Sequence, residues 1–100
     1  MKAFVIVPGS KSIEAVDIAA ESDIARLIGF ETVIFDEIGP DGDRLYFDEE
    51  CFLRGSSGRF QIDNVVPVSG NGVVVGATDD GQLRDVVSDA DSLGARLKYL

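Results

Sequence analysis

The sequence contains no histidine and no tryptophan, and its single cysteine is Cys51. Without histidine, the commonest general base and the usual activator of serine or cysteine nucleophiles is missing. One cysteine without histidine also excludes ordinary zinc, iron–sulfur and haem sites. Two acids precede Cys51 and disfavour its thiolate, so we interpret it as a small buried hydrophobe. We predict a non-enzymatic protein without catalytic residues or cofactors, because the remaining acid–base candidates, such as Glu31 and Glu49, suit a solvated surface.

Basic residues are scarce: 9 Lys and Arg stand against 18 Asp and Glu, which gives a net charge of −9. Phosphate backbones and anionic lipids repel such a chain, so direct nucleic-acid binding is not expected. No apolar run approaches the roughly 20 residues that span a membrane. The opening MKAFVIVPG is too short for a secretion signal and predicts a strand, and a lone cysteine suits a reducing compartment. The expected location is the cytoplasm, without membrane attachment.

Apolar residues make up 45% of the chain, which is enough for a packed core. The patterns predict one α+β domain over residues 1–100: a mostly antiparallel sheet built from hairpins, with two short helices at about 20–29 and 88–98. Ser22 and Gly29 suit the N-cap and C′ positions of the first helix. Ser88 predicts a capping box with Asp91 in the second.

Alternation and turn residues predict the strands. AFVIV, the turn PGSK and SIEAVDI suggest an N-terminal hairpin. FETVIFDEI is apolar on both faces, which predicts a central strand, and GPDGD turns it back into RLYFD. In that return strand Leu45 and Phe47 face the core, opposite Asp48. Shorter strands are expected around Pro67, which favours a sheet edge, and at LRDVV.

Three glycine-rich segments resemble ligand loops but lack the required spacing. VPGSKS at residues 7–12 has Ser10 between Gly9 and Lys11, unlike a P-loop. GNGVVVG at residues 70–76 continues as a strand, so a dinucleotide fingerprint fails and Asn71–Gly72 predicts a tight turn. GSSG at residues 55–58, with Arg59, has the composition of an anion nest but fits a disordered loop better.

The acidic stretch FDEIGPDGDRLYFDEE, residues 35–50, holds seven carboxylates against one base, Arg44. No register fits an EF-hand loop. We interpret most of these carboxylates as solvated by hairpin geometry. Two alternatives stay open: Asp41 and Asp43 as weak ligands of a divalent cation at the hairpin tip, or an acidic face at Asp48, Glu49 and Glu50 that meets a basic partner.

The order of these segments resembles a family of small phage- and plasmid-borne proteins of unknown function. That family has a strand running into Pro-Gly-Lys, a helix ending in Val-Gly-Gly-Tyr-Ile-Glu, an acidic Asn/Asp-Glu-Glu segment and a late Gly-x-Val-Val-Val-Gly strand. Residues 27–31, 48–50 with Leu53, and 72–76 match it. Ile28 replaces one family glycine, and Arg54 with residues 55–57 replaces a Leu-Pro-x-Asn segment. The resemblance implies an accessory protein of a mobile element and supplies no activity.

The leading hypothesis is therefore a small acidic accessory protein of a phage, prophage or plasmid that acts by protein–protein contact. Its partner is an unidentified protein or a second copy, because a small core and free sheet edges favour homodimers. One alternative is a small-ligand or divalent-cation binding domain that uses the acidic hairpin. Another is an acidic nucleic-acid mimic that inhibits a host DNA-binding protein.

Overall fold

The computed structural model describes residues 1–54 and 58–100. The elements in these ranges, in chain order, are β1 (Lys2–Val7), β2 (Ser12–Asp17), α1 (Glu21–Ile28), β3 (Val33–Glu37), β4 (Asp43–Asp48), a 3-10 turn (Cys51–Leu53), β5 (Arg59–Ile62), β6 (Val68–Ser69), β7 (Gly72–Ala77), β8 (Leu83–Arg84), α2 (Ala90–Arg96) and β9 (Leu97–Tyr99). Every strand pairing is antiparallel. The predicted α+β class, mostly sheet with two short helices, is confirmed.

The larger sheet has the strand order β2-β1-β7-β4-β3, and β8 also pairs with β7. All six residues of β7, GVVVGA, are buried, because β1 and β8 pair along one side and β4 along the other, and a core cluster covers each face. At Gly76 an added Cβ would lie 2.4 Å from the carbonyl oxygen of Asp85, so only glycine lets the backbone approach this closely. The β7 segment is thus the most enclosed strand of the sheet.

A core lies on each face of the larger sheet. On one face, α1 packs its buried Ile24 and Ile28 against a cluster that includes Val73 and Val75. The second sheet, of order β6-β5-β9, and α2 contribute to the cluster that includes Leu45, Val74, Phe60 and Leu93. Both faces of the sheet are therefore covered, and an inner strand must be apolar on both sides.

The first helix is confirmed in position, whereas the second ends earlier than predicted because Leu97–Tyr99 forms β9, and both are partly corrected at the caps. Gly29 ends α1 at φ 96° and its N–H donates to the Ala25 carbonyl at 2.8 Å, as expected of a C-cap glycine. Ser22, however, lies inside the first turn, and Asp23 accepts the N–H of Ala19 at 2.7 Å. In α2 the cap is Asp89, not Ser88.

Both predicted hairpins, β1–β2 and β3–β4, are confirmed. The central position predicted for FETVIFDEI is wrong: β3 is the last strand of the sheet, and β7 occupies the centre. The Asn71–Gly72 segment is not a hairpin turn, because it carries the chain from β6 of the second sheet into β7 of the first. The predicted LRDVV strand is shorter, since only Leu83–Arg84 pairs with β7.

Candidate functional site

The β3–β4 hairpin places the acidic stretch at one border of the larger sheet. Its turn uses Gly39 at φ 75° and Gly42 at φ 90°, a conformation that glycine adopts without strain. The backbone N–H of Ile38 donates to the Asp43 carbonyl at 3.0 Å and closes the turn. The turn predicted for GPDGD is therefore present.

Asp43, one of the two predicted cation ligands, is fully buried. Its Oδ1 accepts the N–H of Val87 at 2.8 Å and its Oδ2 accepts the N–H of Ser88 at 2.9 Å. Both oxygens are thus occupied by backbone groups of the segment between β8 and α2. Asp43 holds that segment against the sheet, and these two N–H groups replace water around its buried carboxylate.

Asp48, predicted to face solvent, is also buried, with 3% of its surface exposed. Its Oδ1 accepts the Thr32 hydroxyl and the Glu50 N–H, and its Oδ2 accepts Nε of Arg54 at 3.0 Å. Burial opposes ionisation, but these hydrogen bonds and the Arg54 charge outweigh it and lower the pKa of Asp48. The Arg54 guanidinium also lies 4.2 Å from the ring centroid of Phe30. Asp48 therefore ties the start of β3 to the chain that follows β4.

The remaining predicted site residues have exposed side chains. Asp41 and Glu49 are exposed, and Glu50 forms an ion pair with Arg54 at 3.2 Å. In the described ranges no group of three or more His, Cys, Asp or Glu residues is arranged to hold a metal ion. The structure does not bring Asp41 and Asp43 together as free ligands, because the carboxylate of Asp43 is engaged elsewhere.

The outer side of β3 carries free backbone hydrogen-bonding groups. The Thr32 carbonyl accepts the Glu49 N–H at 2.7 Å, and the Ile38 N–H donates to the Asp43 carbonyl. The even-numbered residues between them, 34 and 36, therefore point their backbone N–H and C=O groups toward β4. Antiparallel ladders alternate, so the N–H and C=O groups of Val33, Phe35 and Glu37 point away from the sheet. In the part of the chain that the structure describes, β3 pairs with β4 alone.

Two large apolar side chains of β3 are exposed, Ile34 at 39% and Phe35 at 41%. The guanidinium of Arg44 lies 3.9 Å from the Phe35 ring centroid and its Nη1 donates to the Tyr46 hydroxyl at 3.2 Å, which holds Phe35 at the sheet border. We call the outward backbone groups of β3, together with these two side chains, the β3 edge. The opposite border strand, β2, exposes no large apolar side chain.

Acids surround the β3 edge. Asp36 and Glu37 lie at its C-terminal end, and Glu31 and Glu49 lie at its N-terminal end. Within the described residues, none of these four carboxylates is in an ion pair. Natural sheet edges are protected by charged side chains, especially lysine, by proline or by bulges; β3 has no lysine or proline, and its charged residues, Asp36 and Glu37, are confined to its C-terminal end. The edge therefore combines outward backbone groups, apolar side chains and nearby carboxylates that form no ion pair among the described residues, with Arg44 of β4 opposite Glu37.

A polar groove of about 560 Å³ adjoins the C-terminal end of β3. It lies between the β3–β4 turn and the β7–β8 turn, and Arg84 Nη2 donates to the Asp41 carbonyl across it at 2.9 Å. Its charged lining residues are Glu37, Asp41, Arg44, Asp79 and Arg84. Sequence reasoning missed the groove because Arg84 and Asp79 come from a hairpin distant in sequence.

The other segments considered from sequence have structural roles or stay outside the described residues. Residues 8–11 form a turn in which the Lys11 N–H donates to the Pro8 carbonyl at 3.2 Å. Cys51 is buried, as interpreted from its neighbours, and Glu31 is exposed. The anion-nest hypothesis for GSSG falls largely on residues 55–57, which lie outside the described residues.

Comparison with protein-family models, with curated proteins and with solved structures finds no match to this chain. The resemblance to a phage- and plasmid-borne family therefore stays a prediction. In the described part of the chain, no helix has both the length and the apolar character needed to cross a membrane.

Proposed function

We infer that the protein is a non-enzymatic accessory protein that acts by protein–protein contact and that the β3 edge is its contact surface. The mobile-element setting comes from the sequence resemblance. The observation that supports the contact surface is the β3 edge itself: a border strand whose Val33, Phe35 and Glu37 backbone groups are free and whose Ile34 and Phe35 side chains are exposed. Extended segments of partner proteins bind such borders by adding a strand.

The contact is tested with a photo-reactive residue at position 34, which lies in the β3 edge. A matched control carries the same residue at position 66, because Val66 is exposed at 48% and lies outside every strand. In cells that express the protein naturally, position 34 is expected to cross-link one defined protein or a second copy, and position 66 is not.

Specificity is tested by combining the position-34 probe with Phe35→Lys, since a lysine on a border strand blocks pairing. The matched control is Val66→Lys, which adds the same charge at another exposed apolar site. We expect the cross-link to disappear with Phe35→Lys and to persist with Val66→Lys, while thermal melts show both variants folded. Equal cross-linking from positions 34 and 66, or an unchanged cross-link in Phe35→Lys, would contradict the proposal.

A further inference from the structure

We propose that the occupant of the β3 edge is an extended basic segment of another protein, which adds an antiparallel strand with two bases opposite Glu37 and Asp36 and three apolar residues opposite Phe35, Ile34 and Val33. This inference rests on the proposed contact function and names the chemistry of the partner. The bases precede the apolar residues in the partner's sequence, since the added strand runs against β3.

The backbone determines the register of this addition. Val33, Phe35 and Glu37 each offer an outward N–H and C=O, and in an antiparallel pair such residues exchange both hydrogen bonds with the residue directly opposite. An added strand of five residues therefore satisfies the whole free border of β3. The antiparallel direction matches every existing pairing in the sheet.

The side chains determine the chemistry of the opposing residues. Phe35 and Ile34 offer apolar surface on opposite faces of the sheet, because neighbouring residues of a strand alternate. Asp36 lies on the same face as Ile34, and Glu37 lies on the same face as Phe35. A basic residue of the added strand is therefore favoured opposite each acid. The base opposite Glu37 also lies beside the polar groove, whose charged lining holds three acids (Glu37, Asp41 and Asp79) and two bases (Arg44 and Arg84).

A second copy of this chain does not supply that pattern. The β3 sequence VIFDE contains no base, so no self-pairing register places a positive side chain opposite Asp36 or Glu37. Centring the pair on Phe35 sets both acids against apolar residues, and centring it on Asp36 sets two carboxylates against each other. The net charge of −9 on each copy further opposes association at low salt.

The probes are two synthetic peptides, Ser-Lys-Lys-Val-Tyr-Val-Ser and its Glu-Glu counterpart, titrated into the isotope-labelled protein. We expect the Lys-Lys peptide to bind about tenfold more tightly at low salt, with the ratio falling as salt is added. The amide signals of Val33, Phe35 and Glu37 are expected to shift most. Phe35→Lys should weaken binding about tenfold, whereas Val66→Lys should leave it unchanged.

A charge reversal sharpens the test. The double variant Asp36→Lys and Glu37→Lys is expected to prefer the Glu-Glu peptide, because the opposing charges are exchanged, and a thermal melt establishes that it is folded. Equal binding of both peptides to the natural protein, or amide shifts centred outside the β3 edge, would overturn the inference.

The two proposals fail in different ways. If position 34 cross-links a partner through a segment without basic residues, or cross-links a second copy, the contact function stands and the basic-segment inference is wrong. If both peptides fail to bind while the cross-link persists, the contact function again stands and the basic-segment inference is wrong. If position 34 cross-links nothing, the contact function itself is wrong.

Discussion

β3 and β4 are the two strands of one hairpin, yet they have opposite environments. Five of the six residues of β4 are buried, including Asp43 and Asp48, whereas no residue of β3 is fully buried and Phe35 is 41% exposed. β4 places two acids, Asp43 and Asp48, at buried positions. β3, in contrast, exposes two of the three residues in its apolar run Val-Ile-Phe. Position in the sheet explains the difference: β4 lies between β3 and β7, whereas β3 pairs on one side only among the residues that the structure describes.

Alternation along a strand assigns a side chain to a face of the sheet but does not decide whether it is buried. The Asp43 and Asp48 carboxylates are buried because backbone N–H groups, a hydroxyl and a guanidinium from other segments replace water around them. Ile34 and Phe35 are exposed because no further segment of the described chain covers the border.

The largest expected effect on stability comes from truncating one apolar side chain on each strand to alanine. Leu45→Ala in β4 should lower the free energy of unfolding by about 3 kcal/mol, since Leu45 is 1% exposed within the core cluster. Ile34→Ala in β3 should lower it by about 1 kcal/mol or less. Urea unfolding measures both, and equal losses would show that β3 is as enclosed as β4.

The next effect separates the buried carboxylates from an outer one. Asp43→Asn and Asp48→Asn should each lower the free energy of unfolding by about 2 to 3 kcal/mol, because an amide nitrogen then faces a donor. Asp36→Asn, on the β3 side, should change it by about 0.5 kcal/mol or less. Chemical denaturation at neutral pH gives the three values. A loss for Asp36→Asn as large as the other two would contradict the contrast.

A smaller effect is expected from acid. The pKa values of Asp48 and Asp63 are lowered in the folded protein, the latter by hydrogen bonds from the Arg96 guanidinium. A lowered folded pKa contributes stability that is complete above the unfolded pKa of about 3.9 and is lost as pH falls through the folded value. Stability should therefore decline below about pH 4, and Asp48→Asn should decline less steeply. Melting temperatures measured across that range test this, and parallel curves would argue against the Asp48 contribution.

The smallest effect concerns the hairpin tip. Asp41→Asn should change the free energy of unfolding by about 0.5 kcal/mol or less, because Asp41 is exposed and its carbonyl, not its carboxylate, accepts Arg84. Millimolar Ca²⁺ should leave the melting temperature unchanged, since a ligand of the native state would raise it by mass action. A calcium-dependent rise that is lost in Asp41→Asn would restore the cation hypothesis.

The local elements of this protein could be predicted from its sequence. Both hairpins, both helices and the glycine that ends α1 follow from alternation, helical periodicity and turn chemistry, which act over a few residues. It also restricted the chemistry: the missing histidine and the excess of acids are properties of composition.

Three features depend on long-range packing: which strand is central, which carboxylates are buried and which border of the sheet is left open. β3 looked central because its sequence is apolar on both faces, but sheet order is set by pairings between distant segments, such as Tyr46 with Val73. Asp43 is buried because Val87 and Ser88, more than 40 residues away, donate to it. Such long-range partners satisfy buried polar groups, but they produce no pattern in the local sequence. The β3 edge could therefore be identified only from the folded structure.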